Sequence, residues 1–277
     1  MSNEADYYDQ YVDISPEDYI RETQLHHPEQ VERSEKIIGS FPADASSVLD
    51  VGCGGGIALH RLLQARPDLK AVGLERSAPT AQAARSLFGL EIVEGSADQL
   101  PFADDQFDVV MANEVLEHLP WGVFEKTISE MTRVARVCVL ITTPYAEDRH
   151  FVTCPQCACD FNPFYHLRSF DETTLRGLFP GFEAISQEVV WTKGHTPLLY
   201  RMRRLKAALG WVPNLPQHTI CPQCGYRHER KRRTTDAAPV APPSERGLGR
   251  LMVKTLSLIP RPRRAKWALV LYRRSAN

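Results

Sequence analysis

The chain has no apolar run approaching the roughly 20 residues a helix needs to cross a bilayer, so no segment of it reads as a transmembrane span. Its first thirteen residues are acidic and polar, which argues against a secretory leader and leads to the expectation of a cytoplasmic address. It has almost no net charge: 33 basic residues face 34 acidic ones, for a balance of −1, so bulk electrostatics argues neither for nor against nucleic acid. It lacks an even set of cysteines as well. There are 7, and without an export signal a disulfide framework explains them poorly.

What is present is enough apolar material, 43% of 277 residues, for one large core with insertions or two modest ones. Basic residues gather late, at Arg201, Arg203, Arg204 and Lys206, then Arg227 to Arg233, then Arg261 to Lys266. Such clusters meet phosphates or anionic lipid heads in some proteins and are solvated surface in others. A nucleic-acid partner and a weak membrane-surface contact therefore stay open as alternatives.

Residues 1–46 read as a polar helical cap carrying Tyr7, Tyr8, Tyr11 and Tyr19. The register then changes. Ser47 to Val51 is a short apolar run ending in glycines, the pattern of a buried strand feeding a tight turn. Helical periodicity follows at Ile57 to Gln64, and strand and helix alternate from there. Strands are expected at Lys70–Leu74, Leu90–Val93, Phe107–Ala112 and Arg136–Thr142, the last stopped by Pro144, with helices at Pro79–Phe88 and Phe124–Val134. This is the signature of a parallel sheet wrapped on both faces, and the continuous apolar strands fit burial on both sides. A helix capped by Asp171 and a strand at Phe182–Trp191 resume the pattern, and Trp267 to Tyr272 supplies a closing strand.

The predicted architecture is thus α/β, a doubly wound, mostly parallel seven-stranded sheet, with its core in residues 47–191 and 263–277. Two stretches break the pattern and read as insertions. Residues 144–170 are rich in Cys, Pro, Phe and His. Residues 192–262 hold a basic stretch, a Cys-rich turn, a Pro/Ala linker at Ala237–Pro243 and an apolar helix near Leu248–Leu258.

The segment Asp50-x-Gly52-x-Gly54-x-Gly56 lies between a strand and a helix. Glycines there let a ligand approach the backbone, and the helix N-terminus offers free N–H groups to an anion. A dinucleotide loop would read Gly-x-Gly-x-x-Gly. Counting from Gly52 the third glycine would fall at Ile57, and from Gly54 at Leu59, so that pattern fails.

An acid just before the first glycine instead resembles motif I of the class I (Rossmann-like) methyltransferases. Further segments resemble that family in order: Glu75 at the end of the second strand, Ser96-Ala97-Asp98-Gln99-Leu100-Pro101-Phe102, Phe107-Asp108-Val109-Val110, Asn113-Glu114-Val115-Leu116-Glu117-His118-Leu119 and His166-Leu167-Arg168-Ser169-Phe170. The resemblance implies S-adenosylmethionine as cofactor. It places Asp50, Gly52, Cys53 and Gly54 at the methionine part, Glu75 on both ribose hydroxyls, and Asp98 at the adenine amino group. A carboxylate suits two neighbouring hydroxyls because it accepts two hydrogen bonds at once. The same resemblance adds Arg76, Gln99 and Asn113 to the cofactor site, with Tyr8 and Tyr11 in a segment that often covers it. The family's acceptor side falls on His118 and His166, each a candidate base and each equally a candidate structural histidine.

Two tetrapeptides repeat: Cys154-Pro155-Gln156-Cys157 and Cys221-Pro222-Gln223-Cys224. Two residues between cysteines let both thiolates reach one ion from a tight turn, and two such turns make the closed tetrahedral set of structural zinc. Cys159, His150, His166 and His228 are possible substitute ligands. Because each pair lies in a different insertion, one zinc would tie them into an inserted subdomain serving as a lid over the acceptor. Phe161, Phe164, Trp191 and Trp211 are candidates to line its pocket. The expected reaction is methyl transfer to a small molecule or sugar, O-methylation favoured. The alternatives are RNA methylation, with Arg227–Arg233 gripping phosphates, and a non-catalytic scaffold that binds the cofactor.

Overall fold

The computed structural model describes residues 15–149, 151–193, 219–226 and 263–276. Tyr7, Tyr8, Tyr11, the basic stretches 201–206 and 227–233, the linker 237–243, the helix expected at 248–258, His150, Trp211 and His228 all lie outside the described residues. The chain divides into two compact units. One comprises Met1–His150, Phe164–Val190 and Lys266–Asn277; the other comprises Phe151–Pro163 and Trp191–Ala265. Residues 144–149 and 164–170 of the expected first insertion thus group with the first unit.

In chain order the elements are α1 (Pro16–Tyr19), a π turn (Ile20–Gln24), α2 (Pro28–Ser40), β1 (Ser47–Val51), α3 (Ile57–Ala65), β2 (Lys70–Glu75), α4 (Ala78–Phe88), β3 (Ile92–Glu94) and β4 (Phe107–Asn113). A 3₁₀ turn (Leu116–His118) follows, then α5 (Val123–Val134), β5 (Ala135–Pro144), the two-residue strands β6 (Val152–Thr153) and β7 (Asp160–Phe161), α6 (Glu172–Arg176), β8 (Phe182–Lys193) and β9 (Arg263–Arg274). Local chemistry accounts for the boundaries. Ser77 accepts from the Thr80 N–H to start α4, and Asp171 accepts from the Thr174 N–H at 2.8 Å to start α6. β5 ends at Pro144, as expected, with that residue paired with Trp267.

The sheet order is β3-β2-β1-β4-β5-β9-β8, with β9 antiparallel to β5 and parallel pairing from β3 through β5. Successive side chains leave opposite faces of a strand, and both faces are covered. Leu49, Val110, Ala112, Val139 and Ile141 pack on one side with Ile128, Met131 and Val134 of α5. Val48, Val109, Met111, Cys138 and Leu140 pack on the other with Ile37 of α2, Leu59 and Leu62 of α3, and Ala81 and Ala84 of α4. The order reverses between β1 and β4, and in open α/β sheets the ligand crevice lies outside the carboxyl ends of the strands at that switch point.

At the opposite ends of the same two strands, Asp108 fastens β4 to the start of β1. Its Oδ2 accepts from Ser46 N (2.8 Å) and Ser46 Oγ (2.6 Å), and its Oδ1 accepts from Arg136 Nε (3.0 Å). Burial opposes the charge, but the Ser46 hydrogen bonds and the Arg136 guanidinium outweigh it and hold the carboxyl well below its ordinary range. The stabilisation is complete above the unfolded pKa of about 3.9 and is lost as pH falls through the depressed folded value. Asp108→Asn is expected to lower stability at neutral pH by on the order of 2–3 kcal/mol and to flatten its fall below about pH 4, as measured by denaturant titration across pH.

Candidate active site

The glycine loop leaves the carboxyl end of β1 and is fastened to β2. Gly52 N and Cys53 N donate to Leu74 O at 2.8 and 3.0 Å, and Gly54 N donates to Glu75 Oε2 at 2.8 Å. Glu75 Oε1 accepts from Ser77 N at 2.8 Å, so the carboxylate expected on the ribose is held between two backbone amides. Gly52 has φ +68°, and a Cβ there would lie 2.8 Å from Val115 Cγ2, so both conformation and space exclude a side chain. At Gly54 a Cβ would meet nothing within 4 Å. The loop is open at that point.

Asp50 is buried at the end of β1 and accepts from Asn113 Nδ2, at the end of β4, at 3.1 Å. Burial pushes its pKa up to about 8, the Asn113 hydrogen bond pulling partly back and the Glu75 charge adding to the rise. Asn113 Oδ1 is buried with no hydrogen-bond partner. An open glycine cradle beside an unpaired amide oxygen fits a polar ligand such as the methionine-bearing cofactor. Asp98 and Gln99 lie in the turn after β3, where Ser96 Oγ donates to Asp98 Oδ1 at 2.5 Å. Arg76 is exposed just past β2. Cys53 is half-buried against Gly73, where a Cβ would lie 2.6 Å from its sulfur, and burial drives its thiol far above the ordinary range. It is packing, not a nucleophile.

Beyond the end of β4 the structure joins both candidate histidines. The rings of His118 and His166 meet edge to face with centroids 5.0 Å apart, and His166 Nδ1 lies 2.6 Å from Glu147 Oε2. Glu117 is fully buried beside them, its Oε2 accepting from Thr143 Oγ1 at 3.5 Å. Burial lowers the His118 pKa to about 3 and raises those of Glu117 and Glu114, whose neighbouring charges reinforce each other. Arg33 of α2 lies 3.3 Å from Glu114 and offsets part of that charge.

Two contacts hold His166 in place. Leu167 N donates to Glu117 O at 2.8 Å, and the buried Arg168 guanidinium donates to the Leu116 carbonyl at 2.8 Å and to that of Leu119. The same guanidinium lies 4.0 Å from the Phe124 ring centroid. Backbone strain concentrates here too. Glu114, Ala146 and Tyr165 have φ of +55°, +47° and +59°, a conformation that costs residues with a Cβ about 1–2 kcal/mol and that recurs at functional sites.

In the second unit the two Cys-Pro-Gln-Cys turns meet. Cys154 Sγ lies 3.7 Å from Cys224 Sγ, and Cys157 Sγ lies 3.6 Å from Cys221 Sγ. Four thiolates on one tetrahedral ion at about 2.3 Å would stand about 3.8 Å apart, so the tetrad has the size of a metal cage. The turns are near copies. Cys154 N donates to Cys159 O and Cys221 N to Tyr226 O, both at 2.8 Å; Ala158 N and Gly225 N each close a turn onto the first cysteine's carbonyl at 3.0 Å. Cys159 is bonded back to the chain beyond its own turn and is not one of the four.

With the geometry in view, the chain can be set beside known proteins. Residues 48–137 match the family model described as a methyltransferase domain. Over that stretch the chain is similar to methyltransferase domains, and its fold is that of the class I methyltransferases. A ubiquinone biosynthesis O-methyltransferase of Azorhizobium caulinodans is 32% identical over 108 residues, 36% of this chain and 42% of that protein. An ajmaline N-methyltransferase of Rauvolfia serpentina is 35% identical over 107 residues, 34% of this chain and 35% of that protein. The matched part thus spans less than half of either relative. The crystal structure of a candidate methyltransferase from Bacillus halodurans C-125 shares the fold, with a TM-score of 0.53 at 16% identity, covering 90% of this chain and all of that one.

Arg33, Glu117, Glu147 and Arg168 were not singled out by sequence reasoning. Glu117 and Arg168 stand inside quoted motifs, Glu117 directly beside His118, and that adjacency was the one signal to be had. Glu147 follows a strand with no periodic pattern, and only the fold brings it to His166. Arg168→Met is expected to lower stability by about 3 kcal/mol, since it leaves the Leu116 and Leu119 carbonyls without their charged donor. Chemical denaturation checks the loss, and histidine NMR should show the His166 ring resonances shifting more than those of His60.

Proposed function

We propose that this chain transfers a methyl group from S-adenosylmethionine to an oxygen of a small-molecule or sugar acceptor. The observation that carries the reading is the adjacency, past the end of β4, of the Asp50–Asn113 and Gly54–Glu75 cradle to the Glu117, His118, His166 and Glu147 cluster. Asp50, Gly52, Cys53, Gly54, Glu75, Arg76, Asp98, Gln99 and Asn113 would hold the cofactor. When bound, it supplies an electrophilic sulfonium methyl. Transfer would form an O–C bond as the S–C bond broke, with the electron pair left on sulfur.

The residues of the chain orient the acceptor oxygen at near-attack distance and exclude water. The acceptor hydroxyl loses its proton at the acid–imidazole cluster, where Glu147 fixes the His166 ring and burial keeps His118 uncharged. The ubiquinone-pathway relative supports an oxygen acceptor, and the ajmaline relative shows that domains of this kind also serve nitrogen. The thiolate tetrad is assigned to structural zinc that ties together the two Cys-Pro-Gln-Cys turns of the second unit. A cytoplasmic setting belongs to the same proposal, because reducing compartments keep such thiols free.

Calorimetry with S-adenosylmethionine should show binding, weakened about 10-fold or more by Glu75→Ala through loss of its charge-assisted hydrogen bonds. An absence of binding by the folded protein would remove the assignment. His166→Ala should lower turnover by about 10²–10⁴ while leaving cofactor affinity unchanged. Labelled cofactor offered to small-molecule, glycan and RNA pools identifies the acceptor class, and label entering RNA alone would overturn the small-molecule reading. Cys221→Ser should lose zinc by elemental analysis; unchanged zinc would refute the four-thiolate site.

A further inference from the structure

A base alone leaves much of the cluster beyond β4 without a purpose. One imidazole would suffice to take a proton, yet two stand together with a fully buried carboxylate. One ligand atom each from Glu117, His118 and His166 lies within 4.8 Å of the others. Glu117 Oε1 is buried with no hydrogen-bond partner and lies 3.9 Å from His118 Nε2. A buried carboxylate oxygen facing two imidazoles with nothing bound to it is costly unless a cation completes it.

The surroundings match those of metal ligands. Two of the three ligands are oriented by a second group. Thr143 Oγ1 donates to Glu117 Oε2, which leaves Oε1 as the coordinating oxygen. The Glu147 carboxylate accepts a hydrogen bond from His166 Nδ1–H, which leaves the Nε2 lone pair as the metal donor. The strained residues Glu114, Ala146 and Tyr165 precede Val115, Glu147 and His166, so the backbone is held in costly conformations around this one cluster. Glu114 adds a further carboxylate, 3.3 Å from the Arg33 guanidinium.

We propose that Glu117, His118 and His166 form a binding site for one divalent transition-metal ion. Two imidazoles and one carboxylate suit zinc, cobalt or iron(II) rather than magnesium or calcium, which prefer oxygen alone. Three protein ligands leave coordination positions open, as in catalytic rather than structural sites. Such a site is distinct in donor chemistry and in place from the four thiolates of the second unit. What the ion would do rests on the methyltransferase reading: an acceptor hydroxyl at an open position would give up its proton to water more readily, and its oxygen would keep the pair that attacks the methyl carbon. That the ion binds does not rest on that reading.

The test is a Co²⁺ titration of the full chain, stripped of loosely held metal and followed by absorbance. Cobalt on thiolates shows sulfur-to-metal charge transfer, and cobalt on nitrogen and oxygen does not. The wild type should bind an equivalent lacking charge transfer, in addition to any held by the cysteines. Glu117→Gln and His166→Ala should weaken that equivalent at least 10-fold, and Glu147→Gln should weaken it by about 10–100-fold. All three should leave the charge-transfer band unchanged. Thermal melts identify any variant that does not fold, and His118→Gln then takes its place. A wild type showing only thiolate-type cobalt at saturation overturns the proposal, as does a nitrogen–oxygen equivalent that persists undiminished in folded variants. Calorimetry with S-adenosylmethionine on the same protein separates the two ideas. Cofactor binding without the second ion sinks the metal site alone, and ion binding without cofactor sinks the methyltransferase reading alone.

Discussion

Asn113 donates to Asp50 across the junction of β1 and β4, and that hydrogen bond sits where the order of the sheet reverses. Both strands must end at the same level for it to form. Val48↔Val109 and Asp50↔Met111 set that register, and the Asp108 bonds to Ser46 and Ser47 fasten the far ends. A carboxyl buried this deeply is tolerated because it has one firm partner, and its raised pKa reflects the remaining cost. The glycine loop leaves from this point, the acid at the end of β2 closes on it, and the residues after Asn113 turn directly into the acid–imidazole cluster.

That arrangement separates two tasks along one edge of the sheet. On the β1–β2 side the groups are backbone amides and a carboxylate arranged around open space, suited to holding a ligand. On the β4–β5 side they are buried acids and imidazoles under backbone strain, suited to changing how firmly an oxygen keeps its proton. Trp267 Nε1, at the start of the part of β9 that faces β5, is also buried without a partner, and the Arg33 guanidinium lies 5.4 Å from its ring centroid. Unpaired polar groups therefore collect on the β4–β5 side of the edge. Polar groups are rarely left so unless something else completes them.

Much of the first unit was readable from residue order alone. The apolar runs gave the strands, since strands buried on both faces need no polar positions, and the glycines after Asp50 marked the loop because few other residues can occupy it. Asp171 was legible as a cap because its partner lies three residues away. The twin Cys-Pro-Gln-Cys turns were legible for the same reason: the spacing itself carries the chemistry. What sequence could not show depends on partners far apart in the chain. Nothing near Glu147 announces His166, and nothing near Arg168 announces the carbonyls of Leu116 and Leu119. The segments on the β1–β2 side could be picked out one by one along the chain, while the other side emerged only when distant segments were folded against one another.

The placement of β9 also bears on how the protein is made. Thr142 of β5 pairs with Leu269, and between them in the chain lies nearly all of the second unit. Until residues 263–274 have left the ribosome, β5 is an unprotected edge with its ladder groups exposed, and the surfaces that Trp267 and Leu269 bury on one face and Tyr272 on the other stay open to water. Joining strands so distant requires closing a long loop before any contact rewards it, which makes that step slow. A nascent chain waiting at this stage displays both an apolar surface and an unpaired strand, the combination that chaperones recognise and that aggregation exploits. The strand that completes the sheet is thus also what ends the period in which the protein is most vulnerable.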